Sequence, residues 1–84
     1  MEKSLFTQEY TVLAEMLRAA REEAGLRQAD LAEQLGQSQS YVSKYESGSC
    51  RLDVIQLRHI CAALGLSLTT FVRRFEKQAP LDGS

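Results

Sequence analysis

The stretch that decides the fold runs Gln28-Ala-Asp-Leu-Ala-Glu-Gln-Leu-Gly36-Gln-Ser38-Gln-Ser-Tyr-Val-Ser-Lys-Tyr-Glu46. Its first half places three apolar residues on one face of a helix, at Leu31, Ala32 and Leu35. Gly36 then supplies a stop, because glycine readily adopts the backbone conformation that ends a helix. The hydroxyl of Ser38 can accept an unpaired backbone N–H of a following helix. The stretch therefore predicts two short helices joined by a tight turn.

The second of these helices buries only one side. Val42 and Tyr45 lie three residues apart and face the core, since successive residues turn by about 100° around a helix. The opposite side is polar, with Gln39 on its flank, and comprises Ser40, Ser43, Lys44 and Ser47. Glutamine can pair with adenine, lysine with guanine and serine with either, so this composition suits base edges in a DNA major groove. The two helices together predict a helix-turn-helix.

Residues 17–72 resemble the Cro/cI-type (XRE) helix-turn-helix domains of phage repressors and small bacterial regulators. The resemblance rests on landmarks at matching spacing, which are Leu17 to Arg21, Gly25 to Gln28, Leu31-Ala32, Leu35-Gly36, Ser43 to Glu46, Gly48 and Ala63 to Gly65. It implies an all-α fold, a compact five-helix bundle like the lambda-repressor DNA-binding domain. It also implies sequence-specific binding to double-stranded DNA in the regulation of transcription.

The resemblance also implies roles for individual residues. By position, Gln39, Ser40 and Lys44 match the family's base-contacting positions, and Ser38 matches the start of the recognition helix. With Ser43 from the same outward face, the expected base-reading set is Ser38, Gln39, Ser40, Ser43 and Lys44. Arg21 and Glu46 match positions that form a buried ion pair in related repressors, where the pair fixes the angle of the recognition helix.

Four further residues are candidates for contacts to DNA phosphates. Gln28 matches a glutamine that the family places at the start of its second helix, where free N–H groups and the helix dipole favour an anion. Arg27 departs from the Thr or Ser usual in the family, so a capping hydroxyl worth about 1 kcal/mol is lost and a cation is gained. Tyr41 either packs or reaches a phosphate, and Arg51 precedes the fourth helix. For Arg27 the alternative is a solvated side chain.

The segments on either side complete the bundle. The first helix is predicted over residues 8–24, capped by Thr7, and the fourth begins with the capping box Asp53 to Gln56. Ser67 caps the fifth helix, which ends before Pro80. We expect residues 7–78 to form a single domain with its helix-turn-helix at about 28–47, and residues 1–6 and 79–84 to be flexible.

Composition limits the remaining possibilities. The 84 residues suffice for one small domain, and no apolar run approaches the roughly 20 residues of a membrane span. With no signal-peptide pattern, we expect a cytoplasmic protein of bacterial or phage type. Cys50 and Cys61 with the single His59 do not provide the ligands of a zinc site, so no metal or cofactor is predicted. We expect Cys61 in the core and Cys50 in an exposed loop.

The chain carries no cluster of acid, base and nucleophile residues, so no enzyme is predicted. Its net charge of −1 argues against nucleic acid, for which a basic domain is usual. The acidic residues gather in the first helix, however, whereas Arg27, Lys44 and Arg51 flank the recognition segment. We expect a homodimeric repressor or autoregulator bound to a palindromic operator, with Val72 and Phe75 at the dimer interface. For Phe75 the alternative is to fold back over the core of a monomer. The alternative is a protein-binding module, such as an antitoxin or a subunit of a larger transcription complex.

Overall fold

The structure, a computed structural model, describes the backbone of residues 2–81 and the side chains of residues 8–81. Five helices follow one another along the chain: α1 (Glu2–Glu23), α2 (Gln28–Leu35), α3 (Gln39–Glu46), α4 (Val54–Ala63) and α5 (Leu68–Gln78). Over residues 2–81 the structure contains no strand. The predicted all-α, five-helix fold is therefore confirmed.

Polar caps begin three of these helices at the predicted residues. The Ser38 hydroxyl accepts the backbone N–H of Tyr41 at 3.2 Å, at the start of α3. The Asp53 carboxylate accepts the backbone N–H of Gln56, whose own amide oxygen accepts the Asp53 N–H, both at 2.8 Å. Ser67 caps α5 in the same way. Each cap satisfies a backbone donor that the first turn leaves unpaired, which fixes where the helix begins.

The start of α1 differs from the prediction. This helix begins at Glu2 rather than residue 8, so Thr7 lies inside it and does not cap it. Residues 2–6 contain neither glycine nor proline, so nothing in their sequence ends the helix before it reaches them. Met1 and residues 82–84 lie outside the described part of the chain, and flexibility at the two ends stays a prediction.

One apolar core joins all five helices. Its most completely buried large side chains are Leu17, Leu31, Val42, Tyr45, Ile60, Cys61 and Phe71. Cys61 lies in this core as predicted, and burial raises the pKa of its thiol to about 11. Cys50, expected in an exposed loop, is instead half-buried, because its loop packs against α1 where the Tyr10 hydroxyl donates to the Cys50 carbonyl at 2.6 Å.

The three apolar residues of α5 have different environments. Phe71 is buried in the core, and Val72 is 38% exposed. Phe75 is half-buried in a depression that Tyr10, Leu13 and Arg51 also line. Of the two residues predicted for a dimer interface, Val72 is therefore the more accessible.

Neither a membrane span nor a metal cluster emerges from the part of the chain that the structure describes. No single helix there is long and apolar enough to cross a membrane, and only α4 and α5 taken together, across a bend of 108°, reach the required length and hydropathy. No group of three or more His, Cys, Asp or Glu side chains there is arranged to hold a metal ion.

The hydroxyl of Tyr45 generates a testable prediction. It is buried and has no hydrogen-bond partner among the described residues, and burial raises its pKa. A buried polar group without a partner costs about 1–3 kcal/mol. Tyr45→Phe should therefore leave the free energy of unfolding in urea unchanged or increase it. Tyr45→Ala, which empties the same site, should cost about 3–5 kcal/mol, and a loss above about 1 kcal/mol in Tyr45→Phe would contradict the assignment.

Candidate nucleic-acid interface

A three-residue turn sets α2 against α3. Gly36 adopts a positive φ of 67°, which few residues other than glycine reach without strain. The N–H of Gln37 then donates to the carbonyl of Ala32 at 2.9 Å, which satisfies an acceptor at the end of α2. Ser38 begins the next helix at once. The two helices consequently pack against each other with almost no intervening chain, as in a helix-turn-helix.

The second helix of this pair, α3, has two distinct faces. Val42 and Tyr45 are essentially inaccessible to solvent and anchor α3 to the core. The exposed face consists of Gln39, Ser40, Ser43, Lys44 and, at the end of the helix, Ser47. These are the residues that the sequence predicts to face outward. A helix held from behind with a free polar face can enter a DNA major groove.

A buried ion pair joins α1 to the end of α3. The Arg21 guanidinium donates to the two Glu46 carboxylate oxygens at 2.7 and 3.1 Å, and to the Leu26 carbonyl at 2.8 Å. The two side chains are only 10% and 3% exposed. The hydrogen bonds that Arg21 donates to Glu46 raise the pKa of Arg21, although partial burial lowers it. The structure thus brings together the two residues that the sequence assigns to a structural pair.

The same carboxylate orients two glutamines. Gln28 donates its amide N–H to Glu46 at 3.0 Å, and its amide oxygen accepts an N–H from Gln39 at 3.4 Å. A carboxylate only accepts hydrogen bonds, so the Gln28 amide nitrogen must face Glu46 and its oxygen must face Gln39. Gln39 is left with its amide oxygen and one N–H to offer. Sequence spacing gives no sign of this connection, because Gln28 lies 18 residues from Glu46 and 11 from Gln39 along the chain.

An exposed ion pair replaces the missing cap of α2. The Asp30 carboxylate accepts the backbone N–H of Arg27 at 2.9 Å and its guanidinium at 2.9 and 3.0 Å. These hydrogen bonds lower the pKa of Asp30 to about 2. The carboxylate thereby satisfies a donor at the helix start, although the family's hydroxyl is absent. The Arg27 side chain is 81% exposed, so it stays accessible from solvent.

The other two phosphate candidates lie in different surroundings. Tyr41 is half-buried and meets the Tyr45 ring edge to face, with centroids 5.4 Å apart. The Arg51 guanidinium lies 5.9 Å from the centroid of the Tyr10 ring on α1. The structure therefore groups Gln28 and Gln39 with the ion pair, whereas Arg51 is held beside α1.

One further basic residue borders the recognition helix. A shallow depression between α1 and α3 is lined by Arg18, Arg21, Gln28, Ser43, Glu46 and Ser47. Arg18 is 64% exposed and pairs with Glu22 at 3.3 Å. Its position one turn before Arg21 places Arg18 on the same side of α1. Its guanidinium adds a cation beside α3.

Comparison with known proteins agrees with this geometry. The model of a family described as a helix-turn-helix domain matches residues 12–74. An XRE-family like protein from Pseudomonas syringae is 35% identical and superposes with a TM-score of 0.85, covering 94% of this chain and 96% of that one. The clp gene regulator ClgR from Corynebacterium glutamicum is 27% identical at a TM-score of 0.76, with coverage of 84% and 76%. No curated protein sequence gives a significant match.

A third solved structure places a similar domain in a longer chain. Apo-HppE is 34% identical at a TM-score of 0.67, and the matching region covers 73% of this chain but 34% of that one. The family match defines the present chain as a helix-turn-helix protein. More specifically, it belongs to the XRE family. It binds double-stranded DNA in the regulation of transcription and is not an enzyme.

The ion pair generates a stability prediction. Glu46→Ala should lower the free energy of unfolding by about 3–5 kcal/mol, because it leaves the Arg21 charge buried without its partner. Glu22→Ala is the matched control, since it removes an exposed carboxylate from a pair worth at most about 1 kcal/mol. Urea denaturation of both variants checks this. Equal small losses in the two variants would show that the buried pair does not hold α1 and α3 together.

Proposed function

We propose that this protein is a homodimeric repressor or autoregulator of transcription that reads a palindromic operator with α3. The observation that carries the proposal is the free polar face of α3, held in place by the hydrogen-bonded chain from Arg21 through Glu46 and Gln28 to Gln39. DNA readers need side chains fixed before binding, because disorder at the base edges weakens discrimination. The proposal includes the expected cytoplasmic location.

Base reading is assigned to the exposed residues of α3. Gln39 offers one acceptor and one donor, which match the N6 amino group and the N7 atom of adenine in the major groove. Lys44 is suited to guanine acceptors. The proposed reading set is completed by three serines whose hydroxyls can donate or accept, Ser38, Ser40 and Ser43. Ser38 already accepts the Tyr41 N–H, so it contributes to DNA through its own O–H.

Phosphate contacts are assigned to the start of α2 and its surroundings. Gln28 begins α2, where unpaired N–H groups favour an anion. Arg27 is exposed and can exchange part of its contact with Asp30 for a phosphate. Arg18, Tyr41 and Arg51 are further candidates at the margins. So few cations predict a shallow salt dependence for one copy, at about 0.9 in slope for each neutralised phosphate.

A dimer is proposed because one copy brings few cations to the DNA, so two copies are needed for useful affinity. Two copies related by a two-fold axis would contact two half-sites about 34 Å apart, and the operator would then be palindromic. Of the two residues that the sequence assigns to the interface, Val72 is accessible. Phe75 is half-buried beside Tyr10 and Leu13 of α1. Repression needs no more than occupancy of the operator, whereas activation requires an additional protein contact. One relative, ClgR, is a regulator of clp genes, which supports a regulatory role without indicating the genes concerned here.

Operator binding can be tested by fluorescence anisotropy with the DNA upstream of the protein's own gene. The wild type should bind this duplex in preference to a scrambled one, and Gln39→Ala and Lys44→Ala should each weaken binding by about 1–3 kcal/mol. Gln78→Ala and Lys77→Ala are matched controls, because they remove the same side chains from the exposed face of α5. Both controls should bind as the wild type does.

A different result would favour the protein-binding alternative. Weak binding to every duplex, unchanged in Gln39→Ala and Lys44→Ala, would leave α3 without a role in reading DNA. The acidic net charge and the exposed surfaces away from α3 would then indicate a protein partner, as in an antitoxin or a subunit of a larger complex. Retention of the cellular phenotype by Lys44→Ala would point the same way.

The orientation of Gln39 generates a second prediction. When each position of the half-site is replaced in turn, the wild type should prefer adenine at one position, by about 1–3 kcal/mol. Gln39→Ala should abolish the preference at that position and leave the other positions unchanged. Gln28→Ala should reduce the same preference, because it removes the acceptor that orients the Gln39 amide. Gln78→Ala should leave the preference intact. A preference for guanine at the Gln39 position would contradict the assigned amide orientation.

A further inference from the structure

The start of α2 holds a cation and a carboxylate of the same turn together. Arg27 immediately precedes the helix, and Asp30 lies in its first turn. The Arg27 Nε–H donates to Oδ2 of Asp30 at 3.0 Å, and an Nη2–H donates to Oδ1 at 2.9 Å. Arginine binds phosphate through the same kind of two-point contact. Asp30 therefore occupies an edge of the Arg27 guanidinium that a DNA phosphate would use.

The Asp30 carboxylate is also anchored to the backbone beside this contact. Its Oδ2 atom accepts the Arg27 N–H at 2.9 Å. This bond holds the carboxylate at the helix start whatever the arginine side chain does. The Asp30 side chain is 33% exposed and that of Arg27 is 81% exposed, so the arginine is the partner with more freedom to move. If the guanidinium turned to a phosphate, the carboxylate would stay behind and lose its two charged hydrogen bonds.

The other exposed cations near α3 are held less firmly. Arg18 is joined to Glu22 by a hydrogen bond of 3.3 Å from its Nε atom. Lys44 forms no ion pair with the residues that the structure describes. Arg27, in contrast, is bound at two guanidinium atoms by a carboxylate of its own helix turn. Among these three cations, Arg27 is the one that an acid of the protein restrains most.

We propose that Asp30 competes with DNA phosphate for Arg27 and thereby limits the affinity of the protein for every duplex. The proposal rests on the phosphate contact that the proposed function assigns to Arg27, and it gives Asp30 a role in DNA binding beyond the capping of α2. While the pair is intact, Arg27 and Asp30 together bring no net charge to the DNA. Phosphate contacts carry no direct sequence information. Asp30 therefore lowers the affinity for operator and for unrelated DNA by the same factor.

The salt dependence of binding reports this competition. Each phosphate that a cation neutralises releases counterions, which adds about 0.9 to the slope of the logarithm of affinity against the logarithm of salt concentration. Without the Asp30 charge, Arg27 can neutralise one phosphate in full. Removal of that charge should therefore steepen the slope by up to about 0.9 for each copy bound.

Asp30→Asn tests the proposal by fluorescence anisotropy at several salt concentrations. Asparagine keeps an oxygen that can accept the Arg27 N–H, so α2 keeps this part of its cap while the charge is removed. The variant should bind the operator and the scrambled duplex about 2- to 5-fold more tightly at low salt, with the ratio of the two affinities unchanged. Glu33→Gln is the matched control, because it removes the same charge from an exposed position near the other end of α2. This control should change neither the affinities nor the salt slope to the same extent.

A double-mutant cycle separates competition for Arg27 from a general change of charge. In an Arg27→Ala background Asp30 has no guanidinium to hold, so the gain from Asp30→Asn should fall to that of Glu33→Gln. Circular dichroism confirms that each variant is folded. A gain in Asp30→Asn no larger than in Glu33→Gln, or a gain that persists in full without Arg27, overturns the proposal. Weaker binding by Asp30→Asn also overturns it, because Asp30 would then orient Arg27 toward the phosphate.

The same measurements distinguish failure of this proposal from failure of the proposed function. A wild type that binds the operator and the scrambled duplex equally refutes operator reading, while tighter binding of both by Asp30→Asn still supports the competition for Arg27. In the converse case the wild type prefers the operator and Gln39→Ala weakens that preference, but Asp30→Asn behaves as Glu33→Gln does. Operator reading by α3 then stands and the role of Asp30 is refuted.

Discussion

The ion pair between Arg21 and Glu46 is the interaction on which the rest of the structure depends. Its guanidinium also holds the Leu26 carbonyl, and its carboxylate holds the Gln28 amide, so one cluster connects α1, the turn before α2, α2 and α3. Charges taken out of water are stable only where their hydrogen bonds are complete. These elements therefore keep a single arrangement, and the angle of α3 is fixed by directional contacts as well as by apolar packing.

Apolar and polar interactions have different tasks in α3. Val42 and Tyr45 attach the helix to the core through contacts that depend on shape and area. Gln39 donates to the Gln28 amide oxygen and Gln28 donates to Glu46, so the buried polar cluster meets the exposed face at Gln39. The core thus holds the helix in place, while the polar chain decides which atoms the first residue of the helix presents to its ligand.

Local signals explain how much of this architecture the sequence predicts. Caps such as Ser38 and Asp53 act within four residues, and the apolar stripes follow helical geometry, so both can be found by spacing. The hydrogen bonds that Gln28 donates to Glu46 and accepts from Gln39 join residues from two helices, and their geometry exists only after folding. The early start of α1 was not predicted. Thr7 would cap a helix only if the residues before it were not helical, and residues 2–6 belong to the same helix.

The exposed face of α3 separates recognition from folding. The side chains of Ser40, Ser43 and Lys44 are exposed and form no hydrogen bond with other described residues, so substitutions there change stability by roughly 0.5 kcal/mol at most. Gln39 is the exception, since its amide is coupled to the buried cluster. Under the proposed function, duplicated genes for such a protein can therefore diverge toward new target sites through these three positions, one substitution at a time, while every intermediate remains folded.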